Sequence, residues 1–373
     1  MDGVDGHRRA WGWVAHLRGG GTTPWSGWAG QGERRGAYLP GAQQLELLRR
    51  LNLAGSPGPE LVERVLAASA PGRGSPDLEL LGADGGSAFG PRPVDPAALP
   101  DAELTRVASS LLADDLVAAG TPPRRSPAFV RPWRIRYRLV GDPWLADPVR
   151  DALIARGRPP GGRGSTILVL GTDLATMLTD AWTSRAFDDG GPAWREWLDP
   201  LAAARGLPRR VDLERAAATW TERVGAARVG IVVDPARLPR LVGLRRPLPA
   251  APRPPADAVD LARRVAAVLG ILVLPPRRAE LLRHTLLPRL LDAPGRPLAV
   301  PAEHADWVVE RATRLRDVLL RAGYAVHGDP DLLVPRRADL TAAGAEPTEA
   351  GVLGLAVRLL LGWDRPADRE EQR

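Results

Sequence analysis

Three arginines at alternate positions form the most suggestive chemical pattern in this chain. Arg134, Arg136 and Arg138 lie in WRIRYRLVG, residues 133–141, where apolar and basic residues alternate. This alternation predicts a β-strand, and alternate residues of a strand project from the same face. The three guanidinium groups would then form a row that could bind an anion. A charged edge strand that resists aggregation explains the same pattern equally well.

Two strand–loop–helix segments offer another kind of site. In an open parallel sheet, ligands bind at the carboxyl ends of the strands, where the following helix presents free backbone N–H groups. The segments RLVGDPWLADPV (138–149) and VLGTDLATMLTDAW (169–182) both have this arrangement. We therefore take Gly171 and Thr172, in the second segment, as candidate cofactor-binding residues alongside the three arginines.

The stretch HLRGGGTTPWSGW, residues 16–28, contains the glycines and threonines of a phosphate-binding loop. It follows a predicted helix rather than a strand, and it contains no lysine. Its glycines are better explained as the end of that helix, which Pro24 prevents from continuing. Four tryptophans lie on either side of its three glycines and predict either a packing cluster or a surface for a protein partner. They are Trp11, Trp13, Trp25 and Trp28.

Missing residue types exclude several reactions. The 373 residues include 51 arginines but no lysine and no cysteine. A lysine-containing phosphate loop, a lysine Schiff base, a thiolate nucleophile and a zinc–thiolate site are therefore impossible. The five histidines are scattered, so we predict no metal site and expect His304 to be a solvated residue in the first turn of its helix. A net charge of +7 is moderate for this length and does not require a nucleic-acid partner.

No segment predicts a signal peptide or a membrane span. We therefore expect a cytoplasmic protein with no membrane partner. The charged tail, residues 364–373, is expected to be disordered.

The elements that would position these residues alternate between strands and helices in the middle of the chain. TILVLG (166–171) and RVGIVVD (228–234) add two short β-branched runs to the strand at 133–141. We predict an α/β fold with a small, mostly parallel sheet and flanking helices, plus helical N-terminal and C-terminal regions. The predicted regions are a mainly helical one over 1–130, an α/β core over 131–245, and a helical one over 246–363 that packs on the core.

Capping residues and apolar stripes support several of the helices. Asp101 is placed to cap a helix in LPDAELTRVASSLLADDLV, and Asp212 to cap one in VDLERAAATWTERVG. In the latter helix one apolar stripe comprises Leu213, Ala216, Ala217, Trp220 and Val224. A short strand is predicted at LELLG, residues 78–82.

The order of these segments resembles that of bacterial sulfotransferase-like P-loop proteins. The similar segments are TILVLGTDLATMLTDAWTSRAF, AWREWLDPL, VDLERAAATWTERVG, ARVGIVVD and the later HADWVVERATRLRDVLLRAGYAVHGDPDLLVP. They follow the family's succession of strand, Trp-rich helix, W..WL segment, Trp-ended helix and strand, then its closing helix, strand and turn. The resemblance covers roughly residues 133–335. It implies a P-loop-like α/β fold and, in an active member, 3′-phosphoadenosine 5′-phosphosulfate as the donor.

The phosphate-binding residues of that family are not matched. The loop that should carry the lysine reads GDPWLADP, with Asp142 and Asp147. The arginine position is Thr172 and the serine position is Asp180. Carboxylates repel a multiply charged nucleotide. The resemblance therefore implies a degenerate, non-catalytic relative that has a binding or regulatory role and uses no cofactor.

Two alternatives remain open. One is an active transferase that holds its sulfated nucleotide donor with arginines alone. The other is a nucleic-acid-binding protein that uses the arginines and tryptophans, and whose affinity would fall steeply with salt.

Overall fold

The computed structural model describes residues 3–34, 39–68, 77–83, 93–123, 136–162, 164–337, 340 and 345–363. The chain divides into two compact units. Unit 1 comprises residues 1–121, 261–289 and 348–373, and unit 2 comprises residues 122–260 and 290–347. The helical region predicted over 246–363 is therefore shared between the two units. The tail predicted to be disordered lies outside the described residues.

Helices dominate both units. In chain order they are α1 (Gly3–Arg18), α2 (Ala42–Ala54), α3 (Pro59–Ala67), α4 (Asp101–Ala119), α5 (Pro143–Ala155), α6 (Leu174–Asp188), α7 (Trp194–Ala203), α8 (Leu213–Val224), α9 (Leu238–Leu241), α10 (Ala256–Leu272), α11 (Pro275–Leu281), α12 (Leu287–Leu290), α13 (Ala305–Arg321) and α14 (Glu349–Gly362). A π-helical turn, Leu282–Leu286, joins α11 to α12.

In unit 1 the glycine-rich stretch ends α1, as predicted. Gly20 has a φ of 86°, in the left-handed region that favours glycine. The N–H of Gly21 donates to the carbonyl of His16 at 2.9 Å, which satisfies one of the last carbonyl groups of the helix. The stretch is therefore a helix terminus.

The tryptophans around that stretch pack inward. Trp11, Trp13 and Trp25 are buried, and the rings of Trp13 and Trp25 lie 5.3 Å apart. The indole N–H of Trp13 donates to Thr23 O at 2.9 Å, and that of Trp25 to Leu81 O at 3.1 Å. Trp28 stacks on His16 with 4.5 Å between ring centroids. This arrangement supports the packing interpretation, and a partner surface here stays a prediction.

Unit 2 contains a four-stranded sheet. Its strands are β1 (Tyr137–Gly141), β2 (Thr166–Leu170), β3 (Val229–Val232) and β4 (Ala325–His327), in the order β1-β2-β3-β4. All three strand pairs are parallel, which confirms the predicted α/β fold. The strand predicted at 78–82 is wrong, because Leu80 forms only an isolated bridge with Val94.

Helices cover both faces of the sheet. On one face Ile167, Val169, Val229 and Ile231 share a core with the apolar sides of α6, α8 and α13. On the other face Tyr137, Leu139, Leu168 and Val232 pack against α5 and α9. The predicted stripe of α8 lies in or against the first of these cores.

The two predicted caps have different outcomes. Asp212 caps α8, since its carboxylate accepts the N–H of Arg215 at 3.0 Å. The cap predicted at Asp101 is wrong. Helix α4 already includes Asp101, and Pro100 occupies the N-cap position without a side-chain hydrogen bond.

The connections that follow β1 and β2 diverge. Helix α5 packs on one face of the sheet, whereas α6 and α8 pack on the other. Because the strand order advances in one direction from β1 to β3, these two crossovers have opposite hands. The two helices still meet, because the rings of Trp144 in α5 and Phe187 in α6 lie 5.3 Å apart. The strand order does not reverse between β1 and β3, so this sheet has no switch point of the kind that creates ligand crevices in doubly wound folds.

Candidate functional site

An aspartate follows each of the four strands at its carboxyl end and caps the next helical turn. Asp173 Oδ1 accepts the N–H of Thr176 at 2.9 Å at the start of α6. Asp234 and Asp329 do the same for the 3₁₀ turns after β3 and β4, each at 3.0 Å. Asp142 caps α5 and accepts the N–H groups of Trp144 and Leu145 at 3.0 and 3.2 Å. Each of these termini thus has N–H groups already bonded to its own carboxylate.

Asp142 and Asp180 form a buried carboxyl pair between β1 and α6. Asp142 is 0% exposed and Asp180 is 5% exposed. The negative charge of Asp142 acts on the carboxyl group of Asp180, and Asp142 Oδ2 has no hydrogen-bond partner within the described residues. Arg253 Nη1 lies 3.7 Å from Asp180 Oδ1. Two buried acids that interact in this way cannot both ionise without a large penalty, so the pair retains a proton.

Burial shifts the titration of both groups. It raises the pKa of Asp142 to about 6, although backbone N–H donors and Arg253 act in the opposite direction. It raises the pKa of Asp180 well above its ordinary value, and the negative charge of Asp142 raises it further. The carboxyl end of β1 therefore carries a pair of buried acids, and the cation beside them, Arg253, already pairs with Asp180.

A pocket of about 680 Å³ opens beside this pair. We call it the carboxyl-edge pocket. Its wall combines a charged part with an apolar part. The charged residues are Asp173, Asp329, Asp331, Arg253 and Arg336, and the apolar residues include Leu298, Val300, Leu332 and Val334. Three acids and two arginines give this wall no positive excess.

The predicted site residues do not come together. Arg134 lies outside the described residues, and Arg136 and Arg138 lie at the start of β1. Gly171 and Thr172 follow β2 at the opposite end of the sheet. Since Arg138 is in register with Ile167, Gly171 lies about 13 Å farther along the strands.

Gly171 and Thr172 are packed rather than open. A Cβ atom on Gly171 would stand 2.5 Å from Leu213 Cδ1 and 3.1 Å from Met177 Sδ. The N–H of Gly171 donates to Val232 O at 3.0 Å. Thr172 Oγ1 is buried and has no hydrogen-bond partner within the described ranges. Close packing against α8 explains the glycine without any cofactor.

Arg138 belongs to a different cleft, at the amino ends of the strands. This amino-edge cleft has a volume of about 600 Å³ and lies between β1, the glycine turn before β2, and the C-terminal half of α8. Its lining includes Arg138, Gly162, Gly164, Ser165, Trp220, Arg223 and Arg228. The sequence predicted Trp220 as a core residue and gave Arg223 and Arg228 no role. Proximity across β1, α8 and β3 is a tertiary feature that no local pattern in the sequence reveals.

His304 is not the solvated residue that we expected. Its side chain is 16% exposed, its Nε2 lies 2.9 Å from Asp199 Oδ1, and its ring meets Trp307 edge-on. Across the described part of the chain, no group of three or more His, Cys, Asp or Glu residues could hold a metal ion. The same residues include no helix that is both long enough and apolar enough to cross a membrane.

Comparisons with known proteins add no relative. The chain matches no protein-family model, no curated protein and no solved structure. The resemblance to sulfotransferase-like proteins therefore rests only on the residue order given above.

Proposed function

We propose that this chain is a binding or regulatory protein on a degenerate, sulfotransferase-like α/β scaffold, and that it does not transfer sulfuryl groups. The observation that carries the proposal is the set of four aspartates at the carboxyl ends of the strands. Each accepts a backbone N–H of the turn or helix that follows it. A bound phosphate would need those same N–H groups and would meet a carboxylate at each of them.

The buried pair supports the same conclusion. Asp142, directly after β1, and Asp180, in α6, are both buried at the carboxyl edge of the sheet, the edge at which parallel α/β sheets bind ligands. Ionisation of either group would add negative charge near an incoming phosphosulfate. Arg253 partly balances this charge, but it is already engaged with Asp180.

A thermal-shift titration with 3′-phosphoadenosine 5′-phosphate tests the proposal. It is made on the wild-type chain and on R223Q/R228Q, which removes two arginines from the amino-edge cleft. We expect the nucleotide to cause no increase in the melting temperature of R223Q/R228Q. Saturable stabilisation retained by R223Q/R228Q would assign the nucleotide to the carboxyl edge and contradict the proposal. Formation of a sulfated product from the phosphosulfate donor and a phenol or alcohol would contradict it too.

An active transferase with an arginine-held donor is a weaker candidate. Its support is Arg138, which lines a cleft with two further arginines. That cleft lies at the amino ends of the strands, about 13 Å along the sheet from Gly171, whereas Asp142 follows the carboxyl end of β1. A donor in this cleft would therefore be remote from the acid–base groups at Asp142 and Asp180.

Nucleic-acid binding is the third candidate, and the same arginines favour it. Electrostatic binding to a polyanion weakens steeply as salt rises. Passage of the protein through a heparin column at low ionic strength would contradict this candidate. Retention that a salt gradient reverses would support it.

A further inference from the structure

We propose that the amino-edge cleft is a binding site for phosphate esters that carry two or more negative charges. This site is separate from the carboxyl edge of the sheet, so the inference does not depend on the function proposed above. The ligand chemistry has two sources, a free nucleotide and the backbone of a single-stranded nucleic acid.

The first argument is uncompensated charge. Among the described residues, Arg138, Arg223 and Arg228 form no ion pair, although all three line one cleft. Elsewhere in unit 2 arginines find acids at short range. Arg205 Nη1, for example, lies 3.0 Å from Glu310 Oε2. Three unpaired guanidinium groups around about 600 Å³ concentrate positive charge that an anion of two or three charges would balance.

The second argument is orientation. The guanidinium carbons of Arg138 and Arg223 lie 5.8 and 5.4 Å from the ring centroid of Trp220. A guanidinium group held over an indole face keeps its N–H edge available for hydrogen bonds in its own plane. Arg228 is fixed differently, because its Nε donates to Val224 O at 2.7 Å. All three side chains are thus held before any ligand arrives, which lowers the entropy cost of binding.

The third argument is access. Gly162 and Gly164 have φ values of 101° and 74°, and a Cβ atom on Gly164 would meet no atom within 4 Å. Ser165 Oγ donates to Gly162 O at 2.6 Å and closes the turn. A Cβ atom on Gly162 would stand 2.8 Å from Arg136 Cδ, so the open part of the cleft floor is the backbone of Gly164, which a ligand can approach closely.

The shape of the donors selects the ligand class. A guanidinium group presents paired N–H donors that match two oxygens of a phosphate group. A monoanion such as a carboxylate would leave most of the cleft charge unbalanced. Phosphate esters with two or more charges fit best, and an attached base could stack near Trp220.

Isothermal titration calorimetry on the full chain tests the site, with ATP and a single-stranded oligothymidylate as probes. The test variant is R223Q/R228Q. The matched control is R209Q/R210Q, which removes the same charge from two exposed arginines that do not line the cleft. Melting temperatures of both variants check that they fold.

We expect at least one probe to bind the wild-type chain. The affinity should fall by about tenfold or more in R223Q/R228Q and by less than about twofold in R209Q/R210Q at about 0.15 M salt. Binding of ATP alone identifies a free nucleotide as the ligand source, and binding of the oligonucleotide identifies a nucleic-acid strand. No binding of either probe up to about 1 mM would overturn the proposal. An equal loss of affinity in both double variants would overturn the proposal as well. It would show that binding depends only on the net charge of the protein and not on this cleft.

Discussion

Asp142 and Asp180 form a pair of interacting acids in the interior of unit 2, where Asp142 is completely buried. The same Asp142 carboxyl group caps α5 through two backbone N–H groups. The pair therefore links the start of α5 to the middle of α6, which pack on opposite faces of the sheet. Two adjacent buried carboxyl groups cannot both ionise without a large penalty, so the link depends on a retained proton.

We expect the free energy of unfolding to fall as the pH rises from about 5 to about 8. Burial raises the pKa of Asp142 to about 6 and that of Asp180 well above its ordinary value. Because these pKa values are higher in the folded chain, the folded state binds more protons than the unfolded state. This contribution is complete below the ordinary pKa of aspartate and is lost as the pH rises through the folded values.

Urea unfolding at several pH values measures this effect. One extra proton in the folded state corresponds to about 1.4 kcal/mol per pH unit. A free energy of unfolding that rises steadily from about pH 5 to about pH 8 would show that Asp142 and Asp180 do not dominate the pH dependence of stability.

The substitution Asp180→Asn isolates the contribution of the pair. Asparagine has nearly the same shape as aspartate and carries no charge, so we expect D180N to exceed the wild type in stability at about pH 8 by roughly 1–3 kcal/mol. At about pH 5, where Asp180 is protonated in the wild type, the two proteins should have similar stability. The measurement is urea unfolding of both proteins at both pH values.

Asp142→Ala serves as the control for D180N. It removes the acceptor of two helix N–H groups and should cost about 1 kcal/mol or more at about pH 5. At about pH 8 the loss should be smaller, because the substitution also removes one of the two buried acids. A D180N protein that is less stable than the wild type at about pH 8 would show that the Asp180 carboxylate is needed in its charged form.

The substitution Gly171→Ala tests whether Gly171 is a packing residue. The added Cβ would stand 2.5 Å from Leu213 Cδ1, so the Leu213 side chain must leave its present position in the core. We expect a loss of about 1–3 kcal/mol in unfolding free energy. Gly206→Ala is the matched control, because a Cβ atom there meets nothing within 4 Å, and its effect should stay below about 1 kcal/mol. Equal stabilities of the two variants would reopen the cofactor interpretation of Gly171.

Local patterns predicted much of the fold. The three predicted strands and the apolar stripe of α8 are set by residues close in sequence, and the structure confirms them. The wrong cap at Asp101 has a local cause as well. Pro100, with φ of −65° and ψ of 144°, already provides the extended residue before the helix, so Asp101 enters its first turn.

Local patterns could not predict which side chains meet at the carboxyl and amino edges of the sheet. Asp142 and Asp180 meet only because the start of α5 packs against the middle of α6, a contact between segments that are distant in the sequence. Arg138 and Arg223 meet only because α8 packs across β1 and β2. Alternation in the sequence showed that Arg136 and Arg138 share a face, but it carries no information about which end of the sheet they occupy.

The substitution Arg9→Met tests whether the tryptophans around the glycine-rich stretch form a packed cluster. Arg9 donates from Nη2 to Trp25 O at 2.7 Å and from Nε to Trp28 O at 2.8 Å, and its guanidinium carbon lies 4.0 Å from the Trp25 ring centroid. Methionine keeps most of the apolar stem but loses these bonds, so R9M should lower the unfolding free energy by about 2–3 kcal/mol. Arg8→Met changes an exposed neighbour and should alter it by less than about 0.5 kcal/mol. Chemical unfolding of both variants measures the difference. If R9M is as stable as R8M, Arg9 does not hold the cluster together, and these tryptophans become candidates for the partner surface that the sequence alone left open.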